Sequence, residues 1–405
     1  MNLRTIFLQF HTRRTLQILI LISLLIYVPV MLRVVPESDF LIHFKFAEDF
    51  RAFKNDSHIS YPLYHYSINL VTNLLNPDTA EEGIVIAYYS GFAIAILMQI
   101  ATAIITLILI YRAAPIFINR RIAVIYSLTA LGLVTIAPIT LFHLNAQDMQ
   151  AGYSYPTFYH NPTIIMLKPF AIILFILSVR VFEEQTPSNM FIIGTAAISI
   201  ATVMAKPSYT IALLPGLSLV ALYTWFRKKT VHWKLLIFGI IIPNIPLLLT
   251  QFLFTFARGE SSLDFRPFFI AIRLSGDTFM IIATFLLSIL FPLAVAVLYR
   301  KRAIRDTSII LSWVIFFIGS VYFYLLVEDG PQLYHRNFQW TTSITVFIVF
   351  LAHALFFIKH RAEAMSKSGT NLKDRIIIVI FILHSLNGVY WYLAHLLADK
   401  FYLIF

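Results

Sequence analysis

The chain alternates apolar blocks of roughly twenty residues with short polar turns, and no other feature limits its fold as tightly. A helix of that length crosses a bilayer core at ~1.5 Å per residue. Of the 405 residues, 59% are hydrophobic and only 13% are charged. Soluble domains run nearer 45–50% apolar and ~25% charged. A water-soluble fold of this size could not hide so much apolar surface. No polar block is long enough to form a soluble domain of its own. The predicted fold is all-α: a polytopic transmembrane helix bundle of about eleven spans, forming a single transmembrane domain over residues 1–405.

The spans are read as Leu16 to Val35, Ile84 to Tyr111, Ile122 to Phe142, Pro162 to Phe182, Asn189 to Ala205 and Ser208 to Phe226. Then follow Leu235 to Phe256, Thr278 to Tyr299, Ile309 to Val327, Thr341 to Ile358 and Ile376 to Leu397. The first apolar run is long for a signal-peptide core, and Val35-Pro36-Glu37-Ser38 lacks a small-x-small cleavage pattern, so a retained span is expected. There is no cysteine, hence no disulfide framework and no thiol nucleophile.

The net charge of +11 invites a nucleic-acid reading, but its distribution argues otherwise. About 20 of the 31 Lys/Arg fall in the alternate turns that this topology places inside, and about 15 of the 20 Asp/Glu fall outside. The positive-inside rule accounts for the basicity without nucleic acid and predicts a cytoplasmic N-terminus. Membrane lipids, anionic near the inner face, are the expected neighbours.

The first outer loop, residues 36–83, is the most informative stretch. Read at 100° per residue from Asp39, it places Phe40, Ile42, Phe44, Phe46, Ala47, Phe50 and Phe53 on an apolar arc, with Lys45, Glu48 and Asp49 opposite. Asp39 and His43, four apart, fall side by side within that arc. A carboxylate there costs about 2–4 kcal/mol unless it is partnered or serves chemistry, and burial would tune it as a general base. The competing reading is a plain helix cap after Pro36. Asp56 and His58 follow in a loop read as solvated, where Asn55-Asp56-Ser57 is a formal glycosylation sequon. Tyr61 to Leu75 is too short and polar to span, so a second interfacial helix is expected.

A cytoplasmic tail, one span, and a long outer loop with an acidic residue just past the membrane resemble the GT-C class of integral membrane glycosyltransferases. Asp39 in Glu37-Ser38-Asp39-Phe40 matches the acidic position, and Tyr61-Pro62-Leu63-Tyr64 resembles the aromatic-proline segment that often follows. The sharp part of the likeness covers about thirty residues; the rest is architecture. The resemblance implies an inverting transfer from a polyprenyl-phosphate sugar donor to a glycan or lipid-linked acceptor, with Asp39 as base and the loop lying as helices on the membrane. The loop lacks the Asp-Asp or Asp-x-Asp pair of a metal-dependent variant. No metal and no soluble cofactor is expected.

Other polar residues cluster on the same predicted side. Lys168 and Lys206 each precede a proline near the outer end of a span, in the pattern Met-x-Lys-Pro. They read either as cations for a lipid phosphate or as lysines snorkelling to headgroups. Tyr159, His160 and Asn161 close an aromatic, amide-rich loop from Tyr153, suited to sugar recognition or to an interfacial belt. The loop from Glu328 to Trp340 carries His335, Arg336, Asn337 and Trp340, and an arginine can grip phosphate bidentately. Arg266 and Arg273 are weaker candidates.

No nucleotide-phosphate loop, zinc-helix or Gly-x-Ser-x-Gly pattern occurs. The expected enzyme is a glycosyltransferase for cell-envelope polysaccharide, working at the extracytoplasmic face of a bacterial plasma membrane. Two rivals remain: a surface-polysaccharide polymerase or ligase using a lipid-pyrophosphate donor, and a lipid or glycan transporter without covalent chemistry.

Overall fold

The computed structural model describes residues 10–51, 61–114, 120–140, 153–256, 261–275, 278–331, 333–334, 336–365 and 371–397. It is an all-α bundle, with seven helices long and apolar enough to cross a membrane. Among these are α1 (Phe10–Val34), α4 (Ala80–Ala113), α6 (Pro162–Val179) and α9 (Leu235–Phe256). The others are α14 (Thr307–Leu325), α15 (Gln339–Met365) and α16 (Leu372–Leu397). Shorter apolar stretches form α5 (Arg120–Val134), α7 (Asn189–Ala205) and α8 (Thr210–Phe226).

Two helices are the hubs. Long α4 packs against α1, α5, α6 and α15, and 83% of the apolar stretch of α15 lies inside the protein. Its Thr341, Thr342, Ser343, Thr345 and His353 are all buried, and polar side chains such as these belong between helices rather than against lipid. Small residues let α14 and α15 come close. A Cβ on Gly319 would lie 2.7 Å from Thr345 Oγ1, and Thr342 Oγ1 donates to the Gly319 carbonyl at 3.0 Å. This is how helices associate where lipid removes the hydrophobic incentive.

The first loop forms two short helices, α2 (Asp39–Arg51) and α3 (Leu63–Leu75). Phe40, His43 and Ala47 face the bundle, while Leu41, Ile42 and Phe46 are exposed. The apolar arc read from the sequence is thus divided between protein and surroundings. Gly91 of α4 is the dock: a Cβ there would meet Phe44 at 2.3 Å and the Tyr64 hydroxyl at 2.7 Å. Asp56, His58 and the sequon lie outside the described residues.

Three expectations are corrected. The helix of the third span ends at Val134 rather than Phe142, where Pro138 has no N–H to give the Val134 carbonyl and would crowd it. Residues 135–140 run on extended and mostly buried against α16. Their polar groups are met there: a ring nitrogen of His384 lies 2.8 Å from the Ala137 carbonyl, and Asn387 Oδ1 accepts from Thr140 N–H (3.1 Å) and Oγ1 (2.8 Å). Gly388 makes the approach possible, since a Cβ would sit 2.2 Å from the Thr135 carbonyl oxygen.

The eighth span is broken into α11 (Thr278–Ser288) and α12 (Leu290–Leu298), bent by 66°, and is followed by the short basic helix α13 (Arg300–Ala303). Pro292 has no N–H for the Ser288 carbonyl and crowds it. The third correction concerns the loops. Two four-residue strands, β1 (Ser262–Phe265) and β2 (Leu326–Asp329), pair antiparallel. Arg266 bridges Asp264 and Asp329 across them at 3.1 and 2.9 Å. A short helix, α10 (Phe269–Ser275), follows β1.

Candidate functional site

The site gathers at the end of the bundle where α1 stops. Pro36 sets a single 3-10 turn, Val35–Glu37, and Ser38 is extended (φ −138°, ψ −173°), so α2 begins afresh at Asp39. The Asp39 carboxylate does not cap its own helix. Its Oδ2 accepts from Asn161 Nδ2 at 2.8 Å.

Asn161 is placed by its own helix start. It is the N-cap of α6, with Pro162 at the first helical position, and its Oδ1 accepts from Ile164 N–H (3.0 Å) and Thr163 Oγ1 (2.8 Å). With the oxygen occupied by donors, the amide nitrogen is the end left to face Asp39.

Lys206 completes a chain of hydrogen bonds. It caps the C-terminus of α7, is 4% exposed, and its ammonium donates to Thr163 Oγ1 at 3.0 Å. Thr163 donates to Asn161, which donates to Asp39. The ammonium also sits 4.9 Å from the Tyr61 ring centroid and 5.0 Å from that of Trp340, an aromatic box that holds a cation. Burial lowers the Lys206 amine to about 8, with Asp39 pulling the other way.

His160, Tyr61, Glu328 and Arg336 surround this chain. Burial lowers His160, as do Lys206 and Arg336, while Asp39 opposes. The Tyr61 phenol is pushed up to about 12, by burial first and then by Asp39 and Glu328. His160 stands 5.8 Å from the Trp340 ring, and Phe158 stands 4.9 Å from it. Glu328, at the end of β2, is buried and accepts from Asn337 Nδ2 at 2.6 Å. Arg336 is lowered to about 10 by burial and by Arg273 beside it.

Of the residues singled out in the sequence, Asp39, Asn161, Lys206, His160, Trp340, Arg336 and Asn337 converge here. Three others lie differently. His43 turns from Asp39 to His65 of α3, with Nδ1 and Nε2 3.0 Å apart. Both rings are lowered: His43 well below its usual value by burial, His65 and Lys206, and His65 down to about 4 by burial. Tyr159 packs against Tyr392 and His395 of α16. Lys168 is five residues past Thr163, about 7.5 Å deeper along α6. Its ammonium lies 5.2 Å from the Phe347 ring centroid, with no hydrogen-bond partner among the described residues. His335 lies outside the described residues.

Thr163 and His65 are participants that sequence reasoning did not single out; Tyr61 entered it only within the aromatic-proline segment and Glu328 only as the start of the last outer loop. Thr163 could have been found from Asn-Pro-Thr, an amide cap followed two residues on by a hydroxyl. Glu328 is a carboxylate directly abutting an apolar span, itself a signal.

Among the described residues no group of three or more His, Cys, Asp or Glu is arranged to hold a metal ion. The arrangement offers a carboxylate, a buried cation, and hydroxyl and amide donors at one end of an apolar bundle. No protein family, curated protein or solved structure matches this chain.

Proposed function

We propose that the protein is an inverting membrane glycosyltransferase of the GT-C type. It would take a sugar from a polyprenyl-phosphate donor and pass it to a glycan or lipid-linked acceptor. One observation carries the reading: a carboxylate in the first loop held by a single amide donor and linked through Asn161 and Thr163 to a buried ammonium.

In this mechanism Asp39 removes the proton of the acceptor hydroxyl as its oxygen attacks the anomeric carbon. The bond from that carbon to the phosphate oxygen breaks, and the lipid phosphate leaves with the electron pair. Lys206 and Arg336 offset the charge that develops on it. Asn161 fixes the carboxylate, and Trp340 and His160 flank the sugar. Two interfacial helices, α2 and α3, keep the base at membrane level.

The topology belongs to the same proposal. Counting the long helices, the bent pair as one span and the three shorter helices gives eleven crossings, with a cytoplasmic N-terminus and the Asp39 end outside a bacterial plasma membrane. A polymerase or ligase using a lipid-pyrophosphate donor is the second reading, favoured by the neighbouring Arg273 and Arg336.

Sugar transfer from radiolabelled polyprenyl-phosphate sugars by the purified protein, beside Asp39→Asn, tests the first reading. Transfer lost in a folded variant supports Asp39 as base. Transfer that survives moves the chemistry to the arginines.

A further inference from the structure

The two interfacial helices are fastened to each other by a pair of histidines that the proposed reaction does not use. His43 of α2 and His65 of α3 meet ring to ring, with Nδ1 and Nε2 3.0 Å apart. His43 is 7% exposed and His65 is fully buried. We propose that this pair is an acid-released clasp, which holds α2 against α3 while both rings are neutral and lets them part when a proton is added. The clasp works whether or not the protein transfers sugar.

The hydrogen bond needs one proton in the gap and no more. A neutral imidazole carries one N–H and one lone pair, whereas an imidazolium carries two N–H groups. The His65 Nδ1 is buried, with no hydrogen-bond partner among the described residues. In the neutral pair the N–H outside the gap can sit on His43 Nε2, which leaves His65 Nδ1 a bare lone pair. An added proton has no such refuge. Placed in the gap, it sets two N–H groups against each other. Placed elsewhere, it leaves an N–H on His65 Nδ1 with nothing to accept it, and a charge among buried groups.

The surroundings do not offset that charge. Tyr64 and Phe46 stand steeply inclined to both imidazoles, with ring centroids 6.2 and 6.0 Å from His43 and 5.8 and 6.2 Å from His65. Burial pushes the Tyr64 phenol well above its usual value, so it brings no negative charge. From the end of α7 the charge acting on His43 is Lys206, a cation. Helix α6 brings Asn161 and Thr163, which do not titrate, and α4 brings Tyr88, against Phe44. On α2 itself the Asp39 carboxylate is bonded to Asn161, and Lys45 and Glu48 lie on the other side of the helix.

Free histidine titrates near about 6.5, while burial first holds His65 at about 4 and His43 well below its usual value. The open form therefore binds more protons than the closed one as pH falls from about 6.5 toward about 4, and docking weakens over that window. Ser38, extended between the 3-10 turn and α2, is the joint about which α2 turns. Opening carries Asp39, the first residue of α2, away from Asn161.

The test is hydrogen–deuterium exchange on the full chain in nanodiscs, with opening constants corrected for the pH dependence of exchange itself. Between about pH 7.5 and about pH 5 the opening constants of α2 and α3 should rise about thirtyfold for each ring that must stay neutral. Those of α4 and α6 should stay level. His43→Leu combined with His65→Phe should abolish the rise. Should that protein lose its thermal transition, His43→Gln with His65→Gln, two amides that can bond without titrating, takes its place. Opening constants that ignore pH in the parent overturn the clasp. So does an equal rise in the doubly substituted protein, which would assign the acid response to another group.

Discussion

The two ends of the molecule each centre on an aspartate, and the two are treated in opposite ways. Asp374, near the start of α16, is fully buried. It accepts from the Tyr299 hydroxyl, from Arg361 at 2.6 Å and from Asn371 N–H at 3.3 Å, while its own N–H donates to Asn371 Oδ1 at 3.0 Å. Asp39 is only partly buried and, among the described residues, accepts a single hydrogen bond, from Asn161, with the Lys206 ammonium three hydrogen bonds away. A carboxylate has about four lone-pair sites; on Asp374 a guanidinium, a phenol and a backbone N–H fill three of them, whereas Asp39 receives one amide donor. The first fastens α16 to its neighbours; the second keeps most of its acceptor sites open.

Four measurements would break or sharpen this contrast. The largest effect belongs to Asp39→Asn, expected to lower transfer about 100- to 10,000-fold with the thermal transition unchanged. A matching loss of stability would make Asp39 another Asp374. Second, Asp374→Ala should cost about 3–5 kcal/mol, because Arg361 is left as an uncompensated, largely buried charge. Thermal unfolding in nanodiscs reads it, and the activity of the molecules still folded should stay near that of the parent. Third, Asn161→Leu removes both the helix cap and the donor to Asp39. A destabilisation of about 1 kcal/mol is expected, with transfer falling about tenfold or more. Stability loss without a change in transfer would reduce Asn161 to a cap.

The smallest and most diagnostic effect is in pH. Burial lowers the Lys206 amine, so the folded protein binds fewer protons than the unfolded chain between about 8 and the ordinary lysine value. Stability should therefore rise with pH across that window. Transfer should fall over the same limb, as the ammonium is lost. Lys206→Arg should remove the falling limb of the transfer profile. A profile unchanged by that substitution would detach Lys206 from the reaction.

The apolar blocks of the sequence did become helices, because hydropathy over a window of some twenty residues is a local property. What it could not reveal was settled across the chain. Helix α5 is cut short by Pro138, but the extended segment beyond it survives only because His384, Asn387 and Gly388 receive it from far along the sequence. The strands β1 and β2 are four residues each, too short to carry an alternating pattern.

The site divides the same way. Asp39 was legible from helical spacing and Asn161 from its Asn-Pro start. The partner of His43 was misread because position i+4 predicts neighbours within a helix, whereas His65 arrives from the next one. Tyr61 and Thr163 sit where packing between distant segments, not any local pattern, decides what they touch.

The burial of α15 has a consequence for synthesis. Trp340 and Gln339 lie on that helix, and Glu328 and Arg336 just before it, so these parts of the site leave the ribosome after most of the bundle. Until then the cleft that α15 fills must stand open among helices already inserted, with Lys206 lacking the Trp340 wall of its box. A chain halted anywhere before α15 would carry Asp39 and Lys206 without the Trp340 wall and the Gln339 amide, so the candidate site is completed only when most of the chain has been made.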